Sequence, residues 1–352
     1  MAGGMEVRHW ALARGLSSRG FEVLIATCDF GQHRVVVKDG VTLLSTYSTQ
    51  AGIRGLRLVY PRLWKTMRTL HHARAAVYVA GGAGIGTGWA YDAATLFGAH
   101  FVFLASSDLD AFPSLPALTT RREKWWYLRA LRGADARVAQ TELQRRLFQN
   151  NFAVDAHVIA NPVETPAITA DAGANDVVLW LSTYKPIKRP EWFLELARRL
   201  PDLRFVMVGF SPSAEANESW RAAKDAAANL SNLEVHGFVT HSRVSEFLRE
   251  AAVFVHTSPF EGFPNTLLEA WSYGIPCVTT VDPGGVVQRY GLGEVVDSVQ
   301  TLVETVACTM AAPDRRRTLG GRARRYVERH HGPDRAFEPL ATLLDQVIRG
   351  EP

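Results

Sequence analysis

Cysteine is scarce in this chain: Cys28, Cys277 and Cys308 are the whole supply. An odd number of widely spaced cysteines in apolar or small-residue settings excludes a disulfide framework and the paired spacing of a zinc site. We read all three as reduced fillers. No run of about 20 apolar residues is present, which excludes a spanning helix, and no charged-then-apolar leader opens the chain. The expected location is the cytoplasm. Internal repeats and low-complexity tracts are also missing, so neither a solenoid nor a disordered tail is expected. The formal charge excess is only +4, and no nucleic-acid partner is expected.

What is present is ordinary globular material: 352 residues, 47% hydrophobic and 21% charged, enough for two α/β domains that each bury a core. Strand-like and helix-like stretches alternate, which predicts parallel sheets with crossover helices. Residues 21–25, 76–80, 100–104 and 137–139 read as strands of a first domain. Residues 177–181, 203–208, 233–235, 252–256 and 276–280 read as strands of a second. Between them, residues 162–175 are rich in Pro, Gly and small residues and read as a linker. The domains are therefore placed at 1–163 and 176–330, with terminal helices at 322–331 and 335–348.

The most informative stretch is Glu261-Gly-Phe-Pro-Asn-Thr-Leu-Leu-Glu269, followed by Ala270-Trp-Ser-Tyr-Gly-Ile-Pro276. The apolar run at 251–257 reads as a buried strand and 265–273 as the helix after it. That puts Glu261 in the loop at the strand's carboxyl end and Glu269 about two turns into the helix. Ligands of open α/β sheets bind at such crevices, where helix N-terminal N–H groups meet phosphate and carboxylates accept from sugar hydroxyls. A solvated loop carrying a surface glutamate is the competing reading, and the intervening Gly262, Phe263, Pro264 and Asn265 weigh against it.

Glu261 to Pro276 resembles the signature of retaining GT-B glycosyltransferases of the family 4 type, which transfer a sugar from a nucleotide diphosphate sugar. The likeness extends in family order along nearly the whole chain. It takes in Gly3-Gly4-Met-Glu6, His9 to Leu16, Arg19 to Val23, Gln140 to Gln144, Ile159 to Val163, Trp180 to Pro190, Phe205 to Gly209 and His236 to Val239. The resemblance implies two doubly wound Rossmann-like domains facing a cleft, with residues 331–352 crossing back onto the first. It implies that Glu261 bonds the donor sugar and that backbone around Gly262, Phe263, Pro264, Asn265 and Thr266 holds sugar and phosphate. Glu269 would hold the ribose and Lys188 the diphosphate, with Gly3, Gly4, Gly209 and Phe238 lining the donor site. No carboxylate is securely placed as a nucleophile, so a front-face displacement with retention is expected, with no metal or other cofactor. The partners implied are a nucleotide sugar and a glycan or lipid-linked acceptor.

Two departures stand out. Thr183 occupies the position, five before Lys188, where the family has an arginine; Thr carries no charge, and Lys185 is the nearest substitute. The chain also enters the glycine loop directly, without the central strand the family places before it. We favour a start assigned one strand late over a protein that lacks the strand, and expect low order at residues 1–10. Ser107 and Asp108 occupy the loop where relatives carry a histidine and are taken as catalytic candidates. Asp108 and Asp110 invite a metal reading, which the metal-free type argues against. The glycines between Gly81 and Gly88 fit no dinucleotide fingerprint and read instead as close packing at a helix start. Arg121, Arg122, Lys124, Trp125 and Trp126 open a helix suited to an anionic membrane surface or, equally, a core helix with snorkelling arginines. Rival functions are a degenerate, non-catalytic sugar-nucleotide- or glycan-binding protein, and an epimerase or phosphorylase of the same fold.

Overall fold

The computed structural model describes residues 4–48, 52, 58–167, 169–211 and 217–351; Gly3 lies outside them. The chain divides into two compact units. The N-terminal unit comprises Val7–Pro162 with Pro333–Pro352, and the C-terminal unit Val163–Gly332 with the chain start up to Glu6.

The N-terminal unit carries α1 (Gly4–Ser17, from Val7 on), β1 (Val23–Asp29), β2 (Val35–Lys38), β3 (Val41–Ser48), α2 (Trp64–Ala73), β4 (Val77–Gly81) and α3 (Ile85–Phe97). Then come β5 (His100–Leu104), α4 (Arg121–Gly133), β6 (Ala136–Ala139), α5 (Glu142–Phe152) and β7 (His157–Val158). Its strands form two sheets, β1-β3-β2 and β4-β5-β6-β7, the second wholly parallel. Among the described residues, β1 and β4 each leave one edge without a strand. Both strands stay half open: β1 has no buried residue, and Val79 of β4 is 42% exposed. Yet Val23 and Val77 pack against one cluster formed with Leu12 and Leu16 of α1 and Ala336 and Leu340 of the last helix.

The C-terminal unit carries β8 (Val177–Thr183), α6 (Pro190–Arg199), β9 (Arg204–Phe210), α7 (Glu218–Asn229), β10 (Leu233–His236), α8 (His241–Glu250) and β11 (Ala251–His256). It continues with α9 (Asn265–Ser272), β12 (Cys277–Thr279), α10 (Val286–Tyr290), β13 (Gly293–Val295), α11 (Val299–Met310) and α12 (Pro313–His330); α13 (Pro333–Arg349) returns to the N-terminal unit. One parallel sheet runs β10-β9-β8-β11-β12-β13. Numbered within the unit this is the order 3-2-1-4-5-6 of doubly wound nucleotide-binding sheets. Residues 177–181 and all of β11 are buried, as strands covered on both faces must be. Each such Val, Leu or Phe contributes about 1.5–3 kcal/mol when fully buried. α6 starts cleanly because Pro190 at its first turn needs no N–H partner, and it buries Phe193, Leu194, Leu196 and Ala197 on one face.

Several elements differ from expectation. β2, β3, β7, β13 and α11 were not foreseen, and α12 starts at Pro313, well before 322. Residues 163–175 are no free linker. Arg316 of α12 donates to the carbonyls of Ala172 (2.6 Å) and Gly173 (3.1 Å), and Arg324 to that of Pro166 (2.9 Å). Their polar backbone is thus satisfied by two arginines far away in sequence, which composition alone does not reveal.

Candidate functional site

The strand order of the C-terminal sheet reverses between β8 and β11, so the loops leaving their carboxyl ends diverge and open a crevice there. The first loop turns through a short 3-10 segment, Pro186–Lys188, and the second runs from Thr257 to Pro264 before α9. A relay ties them together. The Trp180 indole donates to Thr257 Oγ1 at 3.0 Å, and Thr257 donates to the Lys188 carbonyl.

Across the crevice Lys188 Nζ pairs with Glu261 Oε1, the two side chains 24% and 17% exposed. His256, at the last position of β11 and almost fully buried, brings Nε2 within 3.4 Å of the same oxygen. Burial alone would raise the Glu261 carboxyl, but the His256 hydrogen bond and the Lys188 charge reverse this and hold it at about 2. Glu261 is therefore a fixed anion. Glu269 differs: it lies five residues into α9, just past the first turn and not two turns in, and burial pushes its carboxyl up to about 7.

The other expected donor residues fall into place unevenly. Gly262, Phe263 and Pro264 are buried, and the Phe263 ring sits against His331 (4.6 Å) and Trp271 (6.1 Å), anchoring the loop in the core. Asn265 and Thr266 open α9 with first-turn N–H groups that no helical carbonyl can take up. Asn265 Nδ2 donates to the Gly4 carbonyl at 2.6 Å, joining two of the expected residues. Thr183 ends β8 opposite Phe210, and Lys185 is exposed on the same turn as Lys188. Gly209 has a steric reason to be glycine: a Cβ there would stand 2.3 Å from the Ser182 carbonyl oxygen. Phe238 is 63% exposed and packs edge-on against Phe210 at 5.9 Å.

In the N-terminal unit, Ser107 is a cap. Its Oγ accepts from the Leu109 N–H at 3.3 Å at the start of the 3-10 turn Asp108–Ala111. The buried centre of this loop is Asp110, which accepts from Ser106 N and Oγ, Ser107 N and Ala83 N at 2.7 to 3.0 Å. Asp108 is half-buried beside it. Among the described residues, no group of three His, Cys, Asp or Glu is arranged to hold a metal ion. Gly88 lets α3 close on α4, since a Cβ would meet the Trp126 side chain at 2.6 Å.

α4 is chiefly a core helix. Tyr127, Ala130 and Leu131 are buried, Trp126 donates to Asp92 at 2.9 Å, and Arg129 pairs with Asp92 and covers the Trp125 ring. Lys124 reaches the Ser114 carbonyl, leaving Arg121, Arg122 and Trp125 exposed. Cys308 is also exposed, on the outer face of α11, and so is not a core filler. The sequence reading missed His256, Thr257 and Thr279. Its available signal was polar residues at the carboxyl ends of two apolar strands.

Two family models match the chain: "Glycosyltransferase Family 4" over residues 2–166 and "Glycosyl transferases group 1" over residues 175–311. The fold is shared with sucrose-phosphate synthase from Thermosynechococcus elongatus, at 17% identity and a TM-score of 0.84, covering 99% of this chain and 95% of that one. An Anabaena protein, HepE, solved with UDP and glucose, aligns with a TM-score of 0.77 at 16% identity over 97% and 96% of the two chains. In sequence, 91 residues are 37% identical to 2-deoxystreptamine N-acetyl-D-glucosaminyltransferase of Niallia circulans, a match spanning 26% of this chain and 22% of that relative. The chain belongs to the GT-B glycosyltransferases of the family 4 type.

Proposed function

We propose that the protein transfers a sugar from a nucleotide diphosphate sugar to an acceptor hydroxyl, with retention of anomeric configuration, in polysaccharide or glycolipid assembly. The observation that carries this reading is the Lys188–Glu261 pair, placed at the carboxyl ends of the two strands flanking the reversal of sheet order, beside the start of α9. A fixed cation there meets a diphosphate, and a carboxylate held ionised accepts from sugar hydroxyls. Glu269 faces the ribose. In the reaction the bond from the anomeric carbon to the phosphate oxygen breaks while the acceptor oxygen bonds the same face. The acceptor proton passes to the departing phosphate. Lys188 stabilises the charge that grows on the leaving group, most strongly in the transition state.

The neighbour solved with UDP and glucose, and a relative whose name specifies N-acetylglucosaminyl transfer, support a nucleotide sugar donor. We assign no metal to the reaction, so transfer should survive chelator. A lipid-linked acceptor would bring Arg121, Arg122 and Trp125 to an anionic surface at the inner face of the membrane, which co-sedimentation with anionic vesicles tests. The direct experiment is a thermal-shift screen of UDP, GDP, ADP and their sugars, followed by turnover of any sugar that raises the melting temperature. Stabilisation by one nucleotide without turnover against any acceptor would favour the non-catalytic binding protein, a reading to which the uncharged Thr183 lends weight.

A further inference from the structure

We propose that the outer face of α12, with the cleft beside β13, is a second carbohydrate site on the C-terminal unit, one that takes a linear acidic glycan bearing carboxylates or phosphates. That the polyanion is a glycan rests on the polysaccharide-assembly reading above; that a polyanion docks here does not.

The sequence of α12 sets up the site. Arg315, Thr318, Arg322, Arg325 and Arg329 recur at steps of three and four residues, which keeps them on one stripe of the helix, and all are exposed. Leu319, Ala323 and Val327 form the inward face. At 1.5 Å per residue the stripe is about 21 Å long. Arg315 pairs with Glu294. Among the described residues, Arg322, Arg325 and Arg329 make no ion pair or hydrogen bond through their side chains, and Arg289 of α10, close by, only lies over the Tyr290 ring at 5.4 Å. The neighbouring carboxylates are already engaged: Glu294 by Arg315, Glu328 by Arg324, and Asp282 by the N–H groups of Val287 (2.7 Å) and Gln288 (3.3 Å). Elsewhere exposed arginines do find acids, as Arg145 finds Asp155 and Arg199 finds Glu195. Guanidiniums gathered on one face without counter-charge repel one another, and an anionic chain laid along them relieves that repulsion.

Beside the stripe opens a cleft of about 580 Å³, lined in part by Gln288, Gly291, Gly293, Glu294, Arg315 and Arg322. Glycine at 291 leaves room for Arg322, since a Cβ there would stand 2.8 Å from its Nη1. β13 ends the sheet. The Leu292 carbonyl and the Val296 N–H are spent on β12, so Gly293 and Val295 turn their N–H and carbonyl groups to the open edge, where hydroxyls can meet them. Tyr290 is 38% exposed and backed by Tyr326 (4.9 Å) and His330 (5.7 Å), which holds out a flat apolar face for a saccharide ring. Among the described residues, α12 has no exposed large apolar side chain. A helix that enters a bilayer surface carries Trp, Phe or Leu on its binding face, so a chain lying along the groove fits this face and a membrane does not.

Calorimetry of the full chain at low salt with polygalacturonate, phosphomannan and neutral dextran tests this. The acidic glycans should bind, more weakly as salt is raised, and dextran should not. Arg322→Ser with Arg325→Ser should weaken binding at least tenfold at an unchanged melting temperature. Arg322→Lys with Arg325→Lys, which keeps the charge and loses the planar fork, should be intermediate. Arg221→Ser with Lys224→Ser, the same loss of charge from exposed positions of α7, should leave affinity within about twofold. Failure of the parent to bind either acidic glycan, or an equal loss in the α7 control, would overturn the site. Single-stranded DNA or anionic vesicles bound as tightly through the same arginines would overturn the choice of a glycan. Turnover of sugar nucleotides reports on the donor crevice separately, so a protein that binds acidic glycan and turns over no donor loses the transferase reading alone.

Discussion

Glu261 and Glu269 are two glutamates of one motif with opposite electrostatic fates, and their substitutions should separate. Glu261→Ala should abolish transfer yet leave nucleotide diphosphate affinity nearly unchanged. Glu269→Ala should weaken nucleotide binding by about 1–3 kcal/mol. Titration calorimetry on both variants checks this, and equal affinity losses would contradict the division of roles. Glu269 also gives a pH prediction. Its carboxyl, raised from 4.5 to about 7, binds a proton in the folded state where the unfolded chain has released it. Stability should therefore fall as pH rises from about 4.5 to about 7, by on the order of 3 kcal/mol at most from this group. Glu269→Gln should melt higher than the parent at pH 8 and lose that advantage near pH 4; a variant less stable at pH 8 would refute it. Glu261 has the opposite sign, its contribution being present above 4.5 and lost as pH falls toward 2. Thr183 and Lys185 form a third test: if Lys185 supplies the charge that Thr183 lacks, Lys185→Ala should lower turnover strongly and Thr183→Arg should restore part of it. Unaltered turnover in Lys185→Ala would mean that Lys188 works alone.

At the level of elements, the free edges of β1 and β4 make a prediction that concerns the N-terminal unit by itself. Both are parallel-sheet strands with apolar side chains left half open, and both rest on the α1 and α13 cluster. An apolar strand added upstream of Gly4 should pair with them, satisfy their backbone groups and raise the melting temperature by several degrees. No change in melting temperature on extension would show that the two sheets are complete as they stand. The same strands show what could be read beforehand. Continuous apolar runs such as Val177 to Leu181 announced central parallel strands, because such strands are covered on both faces. β2 and β3 were legible but passed over: Val35-Val-Val-Lys-Asp-Gly-Val41 carries a hairpin signal, and Asp39 and Gly40 do adopt positive φ, 50° and 78°. Short strands such as Gly293–Val295 had too few residues for any period to show. At the site, Glu261 and Lys188 were legible through their motifs. The His256–Thr279 contact was not, since it is made between neighbouring strands 23 residues apart in sequence.

For the whole molecule, family membership and the order of the C-terminal sheet point to a transferase, and the proposed function puts its donor at the charged pair beside the reversal of strand order. Those two statements join in one measurement: release of nucleotide diphosphate from a panel of UDP, GDP and ADP sugars, followed with the parent protein and with Glu261→Ala, and with the product's anomeric configuration read by NMR. The account predicts turnover of a specific sugar nucleotide by the parent, a product of the donor's own configuration, and no turnover by a Glu261→Ala protein that still binds the nucleotide. Turnover undiminished in Glu261→Ala, or a product of inverted configuration, would contradict it.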